Sequence, residues 1–153
     1  MAPNLRVGKE FKAYRRDVPD GIACAMNEND QNHWTAFIQG PEDSEYESGI
    51  FKLDIVFPDN YPSYPPKIKF ITDVFHPNIY ANGEICLDIL QGNWSSSYSI
   101  VSVLMSIRSL LTDPNVKSPA NAKAANYYSN DRTAFYNEVR SCVEKSLEQD
   151  FTF

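Results

Sequence analysis

Cys86 lies in a stretch, HPNIYANGEICLDIL over residues 76–90, in which a His-Pro-Asn turn and an Asn-Gly turn give way to an apolar run. Three side chains there can do chemistry: the Cys86 thiol, the His76 imidazole and the Asn78 amide. A thiol that attacks an unactivated amide must be prepared as thiolate by a histidine or another cation. The near neighbours are instead Glu84 and Asp88, and carboxylates beside a thiol oppose thiolate formation. His76 is a candidate base, although an imidazole beside a proline serves equally as a turn-stabilising hydrogen-bond post. A thiol without a base can still exchange with an acyl group that arrives as a thioester, because one sulfur replaces another. Such a site needs a donor for the developing oxyanion, and Asn78 carries a suitable side-chain amide. On spacing and charge alone, Cys86 stays open between a small buried hydrophobe and a nucleophile.

The other two cysteines read differently. Cys24 lies between alanines in an expected strand and Cys142 in the apolar stripe of an expected helix, the usual setting of a free buried cysteine. Three cysteines with no CxxC pair argue against a disulfide framework and for a reducing compartment, cytoplasmic or nuclear. No phosphate-binding glycine loop or serine elbow is present, and two histidines, His33 and His76, are too few for a zinc centre. The N-terminal residues, MAPNLRVGKEFK, are polar and basic, with no apolar segment that would make a secretory signal.

The elements that must position these groups follow from period. Val7, Phe11, Tyr14 and Val18 recur at helical spacing, with Lys9, Lys12 and Arg16 on the opposite side of the wheel. GIFKLDIVF, residues 49–57, alternates as a strand does. HWTAFIQ before it, with GPEDSEYESG as the turn, completes an antiparallel hairpin, and GIACAM and KIKFI extend it to a meander. Ile100, Val103, Leu104, Ile107, Leu110 and Leu111 then predict a largely buried helix, and Phe135, Val139, Cys142, Val143 and Leu147 a last one. Strands first and helices after make an α+β class. With 153 residues, 42% of them hydrophobic, and no linker or repeat, one domain over 1–153 is expected, with no apolar run long enough to span a membrane. The net charge of −6 is uneven. Residues 1–16 sum to about +4, leaving a body near −10, a balance that disfavours nucleic acid and suits an acidic protein partner at the basic helix.

The run HPNIYANGEICLDIL followed by Trp94, with YPSYPPKIKF and the GPEDSEYESGIF hairpin, resembles the ubiquitin-conjugating enzymes over nearly the whole chain. The resemblance implies an N-terminal helix, a four-stranded antiparallel sheet, an active-site loop and further helices, three in all. It implies that Cys86 accepts ubiquitin from the thioester of an activating enzyme and passes it to a substrate lysine, with a ligase, of RING type, in attendance. Asn78 then stabilises the oxyanion or orders the loop, His76 is a structural hydrogen-bonding residue, and Pro65 matches a position often occupied by a cis proline. The N-terminal helix becomes the docking site for activating enzyme and ligase through Lys9, Lys12 and Arg16. Met105 is a contact for tethered ubiquitin or a core filler. No cofactor is implied, ATP being used by the upstream activating enzyme.

The sequence also departs from the family pattern. Ser118 stands where many members carry an acidic residue beside the active-site mouth. Followed by Pro119 it reads as a helix N-cap, and phosphorylation would restore the charge. Asp88 is a second acid near the thiol, supporting or structural. Ser63 replaces a frequent aromatic ligase contact, and Ser95 and Ser96 replace a Ser-Pro pair. QGNWSSSYSI with DPNVKSPANAKAA is nearest the radiation-sensitivity class that modifies histone and replication-clamp lysines. Alternatives are a conjugating enzyme for another ubiquitin-like modifier, a cysteine hydrolase, or a non-catalytic binding module, which the presence of Cys86 disfavours.

Overall fold

Four short alternating segments pair in chain order because each shows one apolar face to the same side. A computed structural model describes residues 4–153, so the first three residues of the expected 1–153 unit lie outside it. The strands are β1 (Ile22–Met26), β2 (His33–Gln39), β3 (Ile50–Val56) and β4 (Lys67–Phe70), joined as an antiparallel meander β1-β2-β3-β4. The register sets Trp34 opposite Ile55, Ile38 opposite Phe51, and Leu53 opposite Phe70. These side chains are buried, each contributing roughly 1.5–3 kcal/mol relative to exposure.

Among the described residues four α-helices complete the fold: α1 (Leu5–Arg16) before the sheet, then α2 (Ile100–Leu110), α3 (Ala122–Asn130) and α4 (Arg132–Leu147). The α1 N-cap, Asn4, accepts from the Arg6 and Val7 amides and donates Nδ2 to the Tyr61 carbonyl at 2.9 Å, so one side chain both starts the helix and docks it. A Ser99–Ser102 capping box starts α2. Its face of Ile100, Val103, Leu104, Ile107 and Leu110 is buried, as its period predicts, while Met105 stands half exposed outside the core.

Some expectations shift. Val18 is exposed because α1 ends at Arg16, so the apolar stripe stops at Tyr14. The α4 stripe stops at Val143, leaving Leu147 exposed. The inward position next to it is polar: the Ser146 hydroxyl accepts from the Ile50 amide and donates to the Val143 carbonyl, joining helix to strand edge. The cis proline is not Pro65 but Pro62, through the Tyr61–Pro62 bond. Tertiary anchors fix the chain reversal there, since the Tyr61 ring packs edge-on to Phe57 and the Pro62 carbonyl accepts from Trp94 Nε1 at 2.9 Å.

The basic count of α1 gave no hint that its single acid is buried. Glu10 accepts from Arg6 Nε at 3.0 Å, from the Ile100 amide at 2.5 Å and from the Tyr61 hydroxyl. One carboxylate therefore links α1, the first amide of α2 and the turn around residue 61, and its charge suits the N-terminal end of a helix. Removing a buried acceptor leaves its donors unpaired, which costs more than the bonds themselves contributed. Glu10→Ala is expected to lower unfolding free energy by about 3 kcal/mol and Glu10→Gln by less, read as the shift in urea midpoint.

Candidate active site

The loop from Phe75 to Leu90 holds the thiol, and its path is set by one tight turn. Gly83 has φ +91°, and a Cβ there would stand 2.0 Å from the Phe70 carbonyl oxygen, so only glycine fits. Its carbonyl accepts from the Phe70 amide at 2.8 Å, and Tyr80 and Glu84 bond across the turn. Ile79 consequently pairs with Ile85, and the Cys86 amide donates to the Asn78 carbonyl at 2.8 Å. The excursion folds back on itself and seats Cys86 beside Asn78.

His76 and Asn78 are both buried. The Asn78 backbone N–H donates to His76 Nδ1 at 2.9 Å, which makes Nδ1 the acceptor and puts the ring proton on Nε2, donated to the Leu110 carbonyl at 2.7 Å. Burial pushes the His76 pKa down to about 4, against a smaller opposing effect of the Leu110 carbonyl. The imidazole is neutral with both nitrogens engaged, so it is no free base for the thiol. Asn78 closes a two-bond ring with residue 115: Nδ2 donates to the Asn115 carbonyl at 2.7 Å, and Oδ1 accepts the Asn115 amide at 2.8 Å. The second hydrogen of Nδ2 takes no part in that ring.

A second pin lies next door, where the Pro77 carbonyl accepts the Ala120 and Asn121 amides at 2.8 and 3.0 Å. Residues 115–121 are thus held at both ends against residues 77–78, with exposed Ser118 between the anchors. Ser118 is not a helix cap, contrary to its Ser-Pro signature. The cap is Asn121, whose side chain accepts from Ala124 at 3.0 Å, because the pinned backbone delays the helix until residue 122. Asp88 is exposed and opens a 3-10 turn over Asp88–Leu90, its carboxylate accepting from the Ile89 amide and Asn93 Nδ2.

The three cysteines separate by environment. Burial pushes the Cys24 thiol up to about 12 and raises that of Cys142 as well. Cys86 is half-buried, and all three are free. Among the described residues no group of three or more His, Cys, Asp and Glu side chains could hold a metal ion, and no helix is long and apolar enough to cross a membrane.

Of the residues singled out in the sequence, the fold brings together Cys86, Asn78 and His76. It sets Ser118 on a loop pinned to the same segment, and Asp88 in the turn that follows the thiol. Lys9, Lys12 and Arg16 are exposed on α1. Ser63 and Ser96 are exposed on the two loops that the Trp94–Pro62 bond joins. The partners that sequence reasoning missed are the Leu110 and Pro77 carbonyls and the Asn115 backbone. Main-chain groups are present at every residue and carry no signature.

Residues 6–143 match the family model described as ubiquitin-conjugating enzyme. The chain is similar to "Ubiquitin-conjugating enzyme E2 2" of Debaryomyces hansenii, 46% identical over 145 residues that span 95% of this chain and 86% of the relative. With the protein of the same name from Neurospora crassa it shares 46% identity over 147 residues, 96% of this chain and 97% of the relative. With that of Saccharomyces cerevisiae it shares 44% over 145 residues, 95% and 84%.

The neutral imidazole makes a pH prediction. A folded-state pKa near 4, against about 6.5 in the unfolded chain, means that the unfolded state binds the proton more readily. The contribution is fully present above pH 6.5 and is lost as pH falls towards 4. Urea titrations at pH 7 and pH 5 should differ by about 2 kcal/mol more in the parent than in His76→Gln. Equal differences between pH 7 and pH 5 in the two proteins would show that His76 does not titrate as a buried neutral group.

Proposed function

The chain belongs to the ubiquitin-conjugating enzyme family, and on that footing we propose that Cys86 is the sulfur that carries ubiquitin from an activating enzyme to a substrate lysine. As a family member it is a transferase that works through a cysteine thioester. The observation that carries the assignment is the fold-back of residues 76–86, which holds Cys86 half-buried against Asn78, while burial raises the other two thiols.

In loading, the Cys86 sulfur bonds to the carbonyl carbon of the ubiquitin C-terminal glycine. The activating enzyme's sulfur leaves and takes up the proton that Cys86 gives up. Sulfur replaces sulfur, so no strong base is required. In transfer, the lysine first loses to water the proton it holds with a pKa of about 10.4; its nitrogen then bonds to the same carbon, and the Cys86 sulfur leaves and takes up the second proton that the nitrogen gives up on becoming an amide. Asn78 orders the 115–121 loop through one amide hydrogen, and the other serves the oxyanion. His76 supports from beneath, and Asp88 shapes the turn after the thiol. Ser118, once phosphorylated, supplies negative charge on the pinned loop, where other family members carry an acid. The chain needs no cofactor, ATP being spent upstream.

Partner surfaces follow the same reading. Asn4 bonded to the Tyr61 carbonyl, Arg6 to the Tyr98 carbonyl at 2.9 Å, and Trp94 to Pro62 join α1 to the loops bearing Ser63 and Ser96. This supports one docking face, with Lys9, Lys12 and Arg16 facing an activating enzyme and then a RING ligase of narrower compatibility than usual. Met105, exposed on α2 and sharing a groove with Leu87, Ser109 and Asp113, is placed on this reading against tethered ubiquitin. Histone and replication-clamp lysines are the substrates to test first, in cytoplasm or nucleus, with neither nucleic acid nor membrane as partner. Ubiquitin is preferred over other modifiers. A hydrolase is disfavoured because both nitrogens of His76 are occupied.

One assay tests these assignments. Incubated with activating enzyme, ATP and ubiquitin, the parent should form an adduct that reductant removes, and Cys86→Ser one that reductant spares; a parent adduct that survives reductant would sink the mechanism. Reversing the charge of Lys9, Lys12 and Arg16 should slow loading about tenfold at low salt, and unchanged loading would remove them from the docking face. Ser118→Asp should discharge onto free lysine faster than Ser118→Ala, and equal rates would leave Ser118 a loop residue only.

A further inference from the structure

The connection between β2 and β3, GPEDSEYESG over residues 40–49, is built around a tyrosine rather than around its charges. Asp43 and Ser48 hold φ +62° and +74°, a left-handed region that side chains rarely adopt and that persists only where the surroundings impose it. The imposing contacts converge on Tyr46. The Ser44 hydroxyl donates to the Pro41 carbonyl at 2.6 Å and accepts the Tyr46 amide at 3.2 Å. The Tyr46 carbonyl accepts the Gly49 amide at 3.0 Å, and a Cβ at Gly40 would stand 1.7 Å from that same carbonyl oxygen. Wound this tightly, the turn sends the Tyr46 side chain into the interior, where it is fully buried.

The Tyr46 ring meets Phe51 and Phe135 edge-on and His76 at a tilt, with centroids 6.2, 6.5 and 6.0 Å away. Its hydroxyl donates to the Phe75 carbonyl at 2.6 Å. Burial pushes that hydroxyl above the ordinary tyrosine range, so it remains a donor at neutral pH. The Phe75 carbonyl belongs to the peptide bond that opens the His76–Pro77–Asn78 segment. Only two residues separate it from Asn78, and one of them is a proline with a fixed φ. A shift at the Phe75 carbonyl is therefore passed to Asn78, whose own carbonyl receives the Cys86 amide and whose side chain holds the Asn115 backbone.

We propose that Tyr46 is a positioning residue for ubiquitin transfer: by holding the Phe75 carbonyl it sets where the Asn78 side-chain amide stands relative to the Cys86 sulfur, and it acts on the reaction through Asn78. Without the hydroxyl, the Phe75 carbonyl loses its donor and the segment moves to find another. A displacement of about 1 Å in a reacting constellation costs up to about a hundredfold in rate, and one released anchor among several costs part of that. The proposal rests on Cys86 as the carrier of ubiquitin. Its failure is told apart from failure of that reading, because hydrogen exchange is measured on the free chain and discharge only on thioester that has formed.

The test uses the full chain and Tyr46→Phe, which keeps the ring and removes the hydroxyl alone. Preformed thioester, quantified at time zero, should discharge onto free lysine about tenfold more slowly in the variant than in the parent. Amide hydrogen exchange should quicken about tenfold more at Cys86 and Asn115, whose amides Asn78 accepts, than across the β2–β3 ladder. In an Asn78→Ala background the same change should slow discharge no further, since both act through one group. Discharge at the parent rate, exchange at Cys86 and Asn115 that quickens no more than in the ladder, or additive losses in the double variant would each overturn the proposal.

Discussion

Burial of the His76–Pro77–Asn78 segment is the constraint from which the site takes its form. A polar segment inside a protein must find a partner for every donor and acceptor. Here those partners come from three directions at once: the Leu110 carbonyl at the end of α2, the Asn115 backbone, and the Ala120 and Asn121 amides. The Asn78 carbonyl receives the amide of Cys86. The thiol is positioned as a by-product of satisfying a buried turn, which gives it a fixed place without a side chain dedicated to holding it.

The same logic operates at the other end of α2. Glu10 receives the first amide of that helix, and His76 donates to a carbonyl of its last turn. A helix gripped at both ends by buried polar groups is set in length and rotation, and Met105 and Ser109 hold fixed positions on its outer side. Around Glu10 the N-terminus of α1 and the loops at 59–63 and 94–99 are bonded together, so a protein that docks on any one of them meets the others. The chemistry this frame supports is undemanding of the enzyme, since the acyl group arrives activated and a neutral, fully engaged imidazole is no handicap. The sheet's outer face follows different rules. Phe37, its one large aromatic, is covered there by the Phe151 and Phe153 rings from beyond α4.

Period and turn chemistry made much of this legible. The four strands, the antiparallel order and the buried face of α2 follow from apolar spacing, because burial of one face is a property that adjacent residues share. Where the reading failed, a distant partner had overridden a local signal. Ser118–Pro119 has the form of a helix start, but the Pro77 carbonyl holds residues 120 and 121 and moves the cap to Asn121. Pro65 sits in a proline-rich corner, but Trp94 and Tyr61 anchor the reversal at Pro62. Glu10, the single acid of a basic helix, carries no local signal at all, and its three partners come from positions 6, 61 and 100.

By itself, then, the sequence determined the class of fold, the family and the residue types available to the chemistry, since these rest on spacing along the chain and on motifs read locally. Only the tertiary structure decided what those residues do. It made His76 a neutral post, gave Asn78 its hold on the 115–121 loop, pushed the Cys24 and Cys142 thiols up by burial, and laid Phe151 and Phe153 over Phe37. Each depends on groups far along the chain, for His76 and Asn78 main-chain ones, the Leu110 carbonyl and the Asn115 carbonyl and amide. Such groups occur at every residue, and only the folded path decides which of them meet.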